Sequence, residues 1–537
     1  LFYSAVLGLF LSIYVDDFKM AGRKASLQPM WKRLGELIEL EPAVPMDGNV
    51  YLGCGQQDVA TNLDNVRMIR EAYFTKFPAP GDLPEEEKTA QYKADVKQAG
   101  GDTKAAGMGR LEWNPKHPIT TYQYTMCGHC EQTVQTYCIL ANKKPSDLKP
   151  VATPCIDDHQ LAPEDFETKG AVAAVASKIV LKGLYVGRMA RMDFLWSVNT
   201  LAREVTKWNV ACDKRLHRMI SYIHHTKNWS QKCWVGDKIE DIKVMLFVDA
   251  SFAGELKGSK STSGAVMCLV GPYTFVPLTH FAKKQGAVSH SSTEAEVIAL
   301  DAALRMLGLP MLTLWDLVIE VLGDRKVTSS GASTGRPAAE QAKKIQPKVV
   351  DPIYSVFDNI DYVPYGMILP AAKAVLLIME DNEAVIKMTN KGRSPTLRHV
   401  ARVFRVDLDG LFERIRSEPN LFIKYINTKY QLADHLTKGS FTAVEWKRLM
   451  ELSQLGPKEK ALKALTKILK GPTAPTGEPD KGPSKGKNLV KGVNFSLIAL
   501  HRSCFLGSSA PSLVPSSSLW CSAPTKQNLT FHIAMAS

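Results

Sequence analysis
Four acidic side chains stand at the end of an apolar run or beside one. Asp249 closes "KVMLFVDAS", Asp381 closes "VLLIMEDN", Asp434 follows "FIKYINTKYQLAD", and Glu296 lies within "SSTEAEVIALDAAL". A carboxylate at the end of a buried strand is unfavourable unless it is paired or binds a cation. Several such ends side by side would repel one another, and a divalent metal resolves that repulsion. Mg2+ prefers oxygen ligands, and two Mg2+ roughly 4 Å apart are a common device for in-line phosphodiester chemistry. Taken singly, each acid reads as a solvated strand terminus; the order of the elements around them is what shifts the reading.

A further pair, Asp16 and Asp17, interrupts the apolar stretch "LFLSIYVDDFKMAG" (9–22). Three explanations compete: a signal or membrane segment, an accidental turn, or a metal site. Leu1–Val15 has no basic leader and no small-residue cleavage pattern. It is also shorter than the roughly 18 residues a spanning helix needs. The chain begins with Leu1, and the simplest expectation is that it starts inside a domain.

The elements that must carry these acids follow from hydrophobic period. Residues 1–60 read as a buried hairpin with the Asp pair at its turn, then a helix at 30–40 and a strand at 49–55 ended by glycine. Residues 76–118 are rich in Pro, Gly and Lys and read as a loop or insertion. A strongly helical pattern covers 171–229. β character takes over at 242–281 in three runs, and a helix is expected at about 292–308. After a Gly/Pro/Lys-containing insertion at 322–370, mixed β and α patterns resume to about 452. The tail is Lys/Pro/Gly-rich and then Ser-rich, without periodicity, and is expected to be disordered.

Three strands, an acid-bearing helix, a strand ending in Asp, another helix, a strand and a final Asp form the layout of a ribonuclease H domain. "LFVDASFAGELKGSKSTSGAVMCLVG", "KKQGAVSHSSTEAEVIALDAALR", "EDNEAVIKMTN" and "QLADHLTK" resemble successive blocks of the RNase H domain of copia-type LTR retrotransposon Pol polyproteins. "GLYVGRMARMDFLWSVNTLAREVTKWNVACDKRLHRMISYIHHTKN" resembles the helical connection before that domain, and "IYVDDFKMAG" the polymerase hairpin of the same family's reverse transcriptase.

The resemblance implies an α/β fold: an α+β palm fragment followed by an RNase H-like three-layer α/β domain with a mixed five-stranded sheet. It implies a palm part at 1–60, a polar insertion or thumb-like region at 61–170 and a helical thumb or connection at 171–235. The RNase H-like domain would span 240–455, interrupted at 322–370, and the tail 456–537. Asp249 would bridge two Mg2+ ions, for which Mn2+ could substitute. Glu296 and Asp381 would complete one shell and Asp434 the other. Asp16 would be a metal ligand of the polymerase site and Asp17 its neighbour.

The implied function is two-metal hydrolysis of RNA in RNA–DNA hybrids. Polymerase activity on a primer-template is not expected, because the first palm aspartate and the fingers would lie before Leu1. The competing reading is a catalytically dead nucleic-acid-binding remnant.

Several smaller choices follow. "TEAEVIAL" offers Glu294 and Glu296, which point to opposite sides of a helix; the family pattern picks Glu296 and leaves Glu294 solvated. Asp157 and Asp158, in "PCIDDHQLAP", lack a flanking strand and read as a solvated loop. "CGHC" (127–130) has zinc-type spacing around His129, but Cys138, Cys155 and His159 are irregularly placed, so free thiols in an insertion are expected. His224, His225 and the basic residues of 182–227 are candidates for backbone contacts. Trp196, Trp208 and Trp229 read as core. A histidine on a loop just before the last Asp is missing: His399 is distant and His435 adjacent.

Composition agrees with a nucleic-acid partner. The chain of 537 residues carries a formal net charge of +13, which favours a polyanion over an acidic surface. Ten cysteines without a framework suggest a reduced, intracellular setting, either a cytoplasmic virus-like particle or the nucleus. No membrane partner is expected, and the oligomeric state is open.

Overall fold
The computed structural model describes residues 1–77, 115, 117–254, 258–323, 374–392, 397, 399–404 and 406–462. Most of the two expected insertions, at 76–118 and 322–370, and the tail beyond 462 lie outside the described residues.

The chain is a mixed α/β protein with two sheets. Strands β1 (Phe2–Ser4), β2 (Leu9–Tyr14) and β3 (Asp17–Gly22) make a small antiparallel sheet in that order. Tyr14 pairs with Asp17, so Val15 and Asp16 form a two-residue turn. Val15 takes a φ of 56°, a region that β-branched residues rarely adopt. The expected helix at 30–40 begins earlier, at Lys24, and ends at Gly35. The expected strand at 49–55 is a hairpin, β4 (Val50–Tyr51) and β5 (Cys54–Val59). Its turn residues Leu52 and Gly53 both have positive φ, as the favoured two-residue hairpin turn requires.

The larger sheet has ten strands. After β4 and β5 come β6 (Thr120–Thr125), β7 (Trp229–Val235), β8 (Lys243–Ser251), β9 (Thr262–Gly271) and β10 (Thr274–Lys284), then β11 (Leu376–Glu380), β12 (Leu421–Tyr425) and β13 (Leu455–Pro457). Their spatial order is β12-β11-β8-β9-β10-β7-β6-β5-β4, with β13 also on β7. Strands β8, β9 and β10 are antiparallel neighbours, whereas β11 runs parallel to β8 and β12 parallel to β11. β8 and β11 are buried almost throughout, which is why both read as unbroken apolar runs.

The sheet is therefore wider than the five strands expected. It continues through the β10–β7 pair into β7-β6-β5-β4. The region 61–170 is correspondingly not a polar insertion throughout. "TTYQYT" is an inner strand, and its Gln123 is wholly buried. The Gln123 amide donates to Gln57 Oε1 (3.2 Å) and the Glu459 carbonyl (2.8 Å), while its oxygen accepts from Ser230 Oγ (2.8 Å) and the Glu459 N–H (3.0 Å). A polar side chain with every group paired is content in a core, so polarity misled the sequence reading. The region 171–235 holds three helices, Ala176–Met189, Leu195–Arg203 and Val210–Thr226, and ends in strand β7. Order also extends past 456, through β13 and a bridge between Val59 and Ala461.

Helix Ser292–Ala303 packs on β8 and β9. It continues through a π turn into Leu309–Leu322. The run Ser292–Leu322 is long and apolar enough to cross a membrane by length and composition, and 56% of its most apolar window is buried inside the protein. Trp315 Nε1 donates to the Ile242 carbonyl, fixing this helix to the start of β8 (3.2 Å).

Candidate metal centre
The parallel pairing of β8 and β11 sets where the acids meet. Phe247 lies opposite Met379, and continuing that register by two residues puts Asp249 opposite Asp381. Glu296 reaches the same end of the sheet from the helix lying on β8. Asp434 arrives on a short 3-10 turn, Leu432–Leu436, after β12. Two details seat that turn. The buried Gln431 amide donates to the carbonyls of Val248 (2.8 Å) and Met379 (3.2 Å), so it bridges the ends of both strands. Gly264 pairs with Asp249 on β9, and a Cβ there would lie 2.6 Å from Thr437 Cγ2 and 3.0 Å from Leu436 Cβ. The missing side chain lets the turn close over β9, and the Thr437 hydroxyl then donates to Asp249.

The result is two overlapping carboxylate triads. Asp249, Asp381 and Asp434 form one, Glu296, Glu380 and Asp381 the other; within each, one oxygen per residue lies within 4.8 Å of the others. Asp381 is thus the shared residue, where Asp249 had been expected to bridge. Glu380 was not among the expected ligands. Its signal was present in the sequence, since an acid closes the apolar run "LLIME" one residue before Asp381.

These acids are poorly satisfied as anions. Glu380 Oε1 accepts from the Asn382 N–H (3.1 Å), and Asp381 Oδ2 from the Thr428 hydroxyl (2.9 Å). Glu296 Oε2 and Glu380 Oε2 are buried with no hydrogen-bond partner. Burial, then repulsion from Asp249, Glu380 and Asp381, raises the pKa of Glu296 well above the ordinary range. Burial does the same to Glu380, against the pull of the Asn382 N–H. Burial and Asp249 also raise Asp381. Asp434 is pushed up to about 7 by burial and by Asp249, with Lys438 opposing.

The Lys438 ammonium sits against Asp434 Oδ1 and 3.6 Å from Asp249 Oδ1. Burial works against its charge, but Asp249, Asp434 and Asp381 outweigh that and raise its pKa. Buried like charges with orphaned oxygens are what a hard divalent cation satisfies, so this donor set, all carboxylate, fits Mg2+ or Mn2+.

Asp16 and Asp17 are exposed at the β2–β3 turn and, among the described residues, belong to no such group. Glu294 is a correction: it is 1% exposed and not solvated. It accepts from the His290 N–H and from His399 Nε2, both at 3.1 Å, on the side of the helix away from Glu296. His399 is therefore occupied there. His435 is wholly buried with neither ring nitrogen bonded, and burial lowers its pKa to about 4.

Asp158 is a second correction, since it pairs with Arg215 at 12% side-chain exposure. Asp157 caps the short turn that follows. Cys127 and Cys130 are free thiols, but on a helix, Cys127–Leu140, that packs on Ala176–Met189 and Val210–Thr226. Cys138 and Cys155 are free as well. His225 Nε2 is 2.8 Å from the Leu148 carbonyl, a contact within the fold. Trp208 is buried, whereas Trp196 and Trp229 are only half-buried.

A cleft of about 440 Å³ opens beside the acids. Thr437, Lys438 and Ser251 line its inner end, and Trp196, Phe166 and Lys207 line the wall formed by the helical region. Six basic side chains border it against three acidic ones. The lining of the cleft is therefore net positive overall. No family model, curated protein or solved structure matches the chain.

Proposed function
We propose that the chain is a retroelement-derived protein of the copia Pol type whose carboxylate centre hydrolyses the RNA strand of RNA–DNA hybrids. The observation that carries the reading is the convergence of Asp249, Glu296, Asp381 and Asp434, four acids far apart in sequence, at one end of the β8–β11 pair. The strand order β10-β9-β8-β11-β12, with the first three antiparallel and the last two parallel to β8, supports an RNase H-like arrangement.

Two divalent ions, Mg2+ or Mn2+, held by these acids would supply an activated water and offset charge on the phosphodiester. The chain's own groups prepare that chemistry. Thr437 orients Asp249, Gln431 holds the Asp434 turn over the strand ends, and Lys438 places a cation where the cleft meets the acids. The basic cleft would follow a nucleic-acid backbone, and recognition of a hybrid rests on shape and 2′-hydroxyls instead of base sequence. The same reading assigns the β2–β3 hairpin to a reverse-transcriptase palm, on the strength of its Tyr14–Asp17 turn.

The test is incubation of the purified chain with an end-labelled RNA–DNA hybrid in Mg2+ or Mn2+. RNA cut within the hybrid, with duplex DNA intact, is the expected result. A folded, metal-loaded protein that leaves the hybrid whole overturns hydrolysis and leaves a nucleic-acid-binding remnant.

A further inference from the structure
The two triads differ in what already neutralises them. Asp249 and Asp434 share the Lys438 ammonium, and Asp381 lies within its electrostatic reach. Glu296 and Glu380 have no cation within ion-pair distance among the described residues, and each keeps one buried oxygen without a partner. Glu380 is 0% exposed and Glu296 6%, so water does not compensate. Counted together, five carboxylates and one lysine carry a formal charge of −4 (five negative, one positive), which two divalent ions would balance. Without Glu380 the same two ions would leave an excess positive charge.

We propose that Glu296, Glu380 and Asp381 form a divalent-cation site that fills first, while the Asp249–Asp381–Asp434 site is weaker because an incoming ion must displace Lys438. Two physical terms separate the sites. An ion entering the Glu380 side meets three carboxylates and displaces no protein cation. On the Asp434 side it must break the Lys438 ion pair and sit against a nearby ammonium, which repels it. Glu380 is thereby a ligand in its own right, and Lys438 sets the gap between the two affinities. The inference rests on the proposed hydrolase only in sharing its acids; it concerns ion binding in the absence of nucleic acid.

The experiment is titration of the full chain with Mn2+, following free Mn2+ by electron paramagnetic resonance, without nucleic acid. Two classes of site are expected. Glu380→Gln should weaken the tight class at least tenfold and spare the weak one. Asp434→Asn should abolish the weak class and spare the tight one. Lys438→Met should tighten the weak class severalfold and narrow the gap.

Unchanged binding in a folded Glu380→Gln protein overturns the assignment. So does loss of the tight class in Asp434→Asn, which decides the matter even if Glu380→Gln fails to fold. An unchanged weak class in Lys438→Met overturns the ordering. Two classes that behave as stated in a chain that cuts no hybrid keep this inference and sink the hydrolase. Hybrid cleavage with a tight class indifferent to Glu380→Gln does the reverse.

Discussion

The β2–β3 hairpin and the strand-end centre contain the same ingredients, carboxylates with a lysine nearby, arranged in opposite ways. In the hairpin, Asp16 and Asp17 are exposed at the turn while Lys19, two residues on, is buried with no hydrogen-bond partner for its ammonium. Its ammonium lies 5.2 Å from the centre of the Tyr51 ring. At the centre, Asp249, Glu296, Glu380 and Asp434 are buried, Asp381 is half-buried, and Lys438 lies between two of them. Adjacent acids on one turn can both face water, so nothing forces them to find a cation. Acids delivered by four separate elements to one buried place have no such escape, and their repulsion creates demand for metal.

The largest effect expected from this contrast is catalytic. Asp249→Asn should reduce hybrid cleavage on the order of a thousandfold or more, because ligands of shared ions act as a unit. Asp16→Asn with Asp17→Asn should leave cleavage at the wild-type rate. Single-turnover rates on one labelled hybrid check both, and equal losses from the two variants would erase the distinction between the regions.

Next in size is the packing that builds the centre. Gly264→Val forces atoms into the space of Thr437 and Leu436 and should destabilise the protein by about 1–3 kcal/mol. It should also displace Asp434 and suppress cleavage. Gly35→Ala, at the end of the hairpin's following helix, meets nothing within 4 Å and should change neither. Urea unfolding of the three proteins measures the difference.

The third expected effect is a pair of opposite pH dependences. Asp434 has its pKa raised from 3.8 to about 7, so between those values the folded state holds the extra proton and stability falls as pH rises. Lys19 has its pKa lowered from 10.5 to about 7, chiefly by burial. Between those values the unfolded state holds the extra proton, and stability rises with pH. Thermal midpoints across pH 4–10 should therefore show a descending acid limb that saturating Mn2+ removes. The alkaline limb should ignore Mn2+ and flatten in Lys19→Met. An acid limb unaffected by Mn2+ would show that the buried acids are not where the ion goes.

Much of the region from Lys243 onward was legible because its signals are local. "KVMLFVDAS", "SGAVMCLVG" and "YTFVPLTHFA" became β8, β9 and β10, and an acid at the end of an apolar run marked Asp249 and Asp381. Of the two glutamates in "TEAEVIAL", Glu296 lies in a carboxylate triad and Glu294, among the described residues, does not. The expectation of a solvated Glu294 failed, as it is buried too, against His290 and His399. Helical spacing says that two residues face apart; it does not say that one of those faces is wet. Within 61–170, read as a polar insertion or thumb-like region, strand β6 was not anticipated for a related reason. Gln123 in β6 is paired on all sides by residues as distant as Glu459, and no local pattern reports such partners.

By itself, then, the sequence determined most of the strands from Lys243 onward, the order of the acid-bearing elements and the candidates for a metal-binding role. Those follow from hydrophobic period and from the penalty on a charge at a buried strand end. Only the tertiary structure decided which acids share a site. The parallel β8–β11 register aligned Asp249 with Asp381, and Gly264 and Gln431 let the Asp434 turn close over them. The curl of Glu380 round its strand end added a fifth acid, and Lys438 divided the cluster into two unlike halves. The physical reason is range: periodicity acts over a few residues, whereas carboxylate repulsion and cation pairing act through space between residues nearly two hundred positions apart.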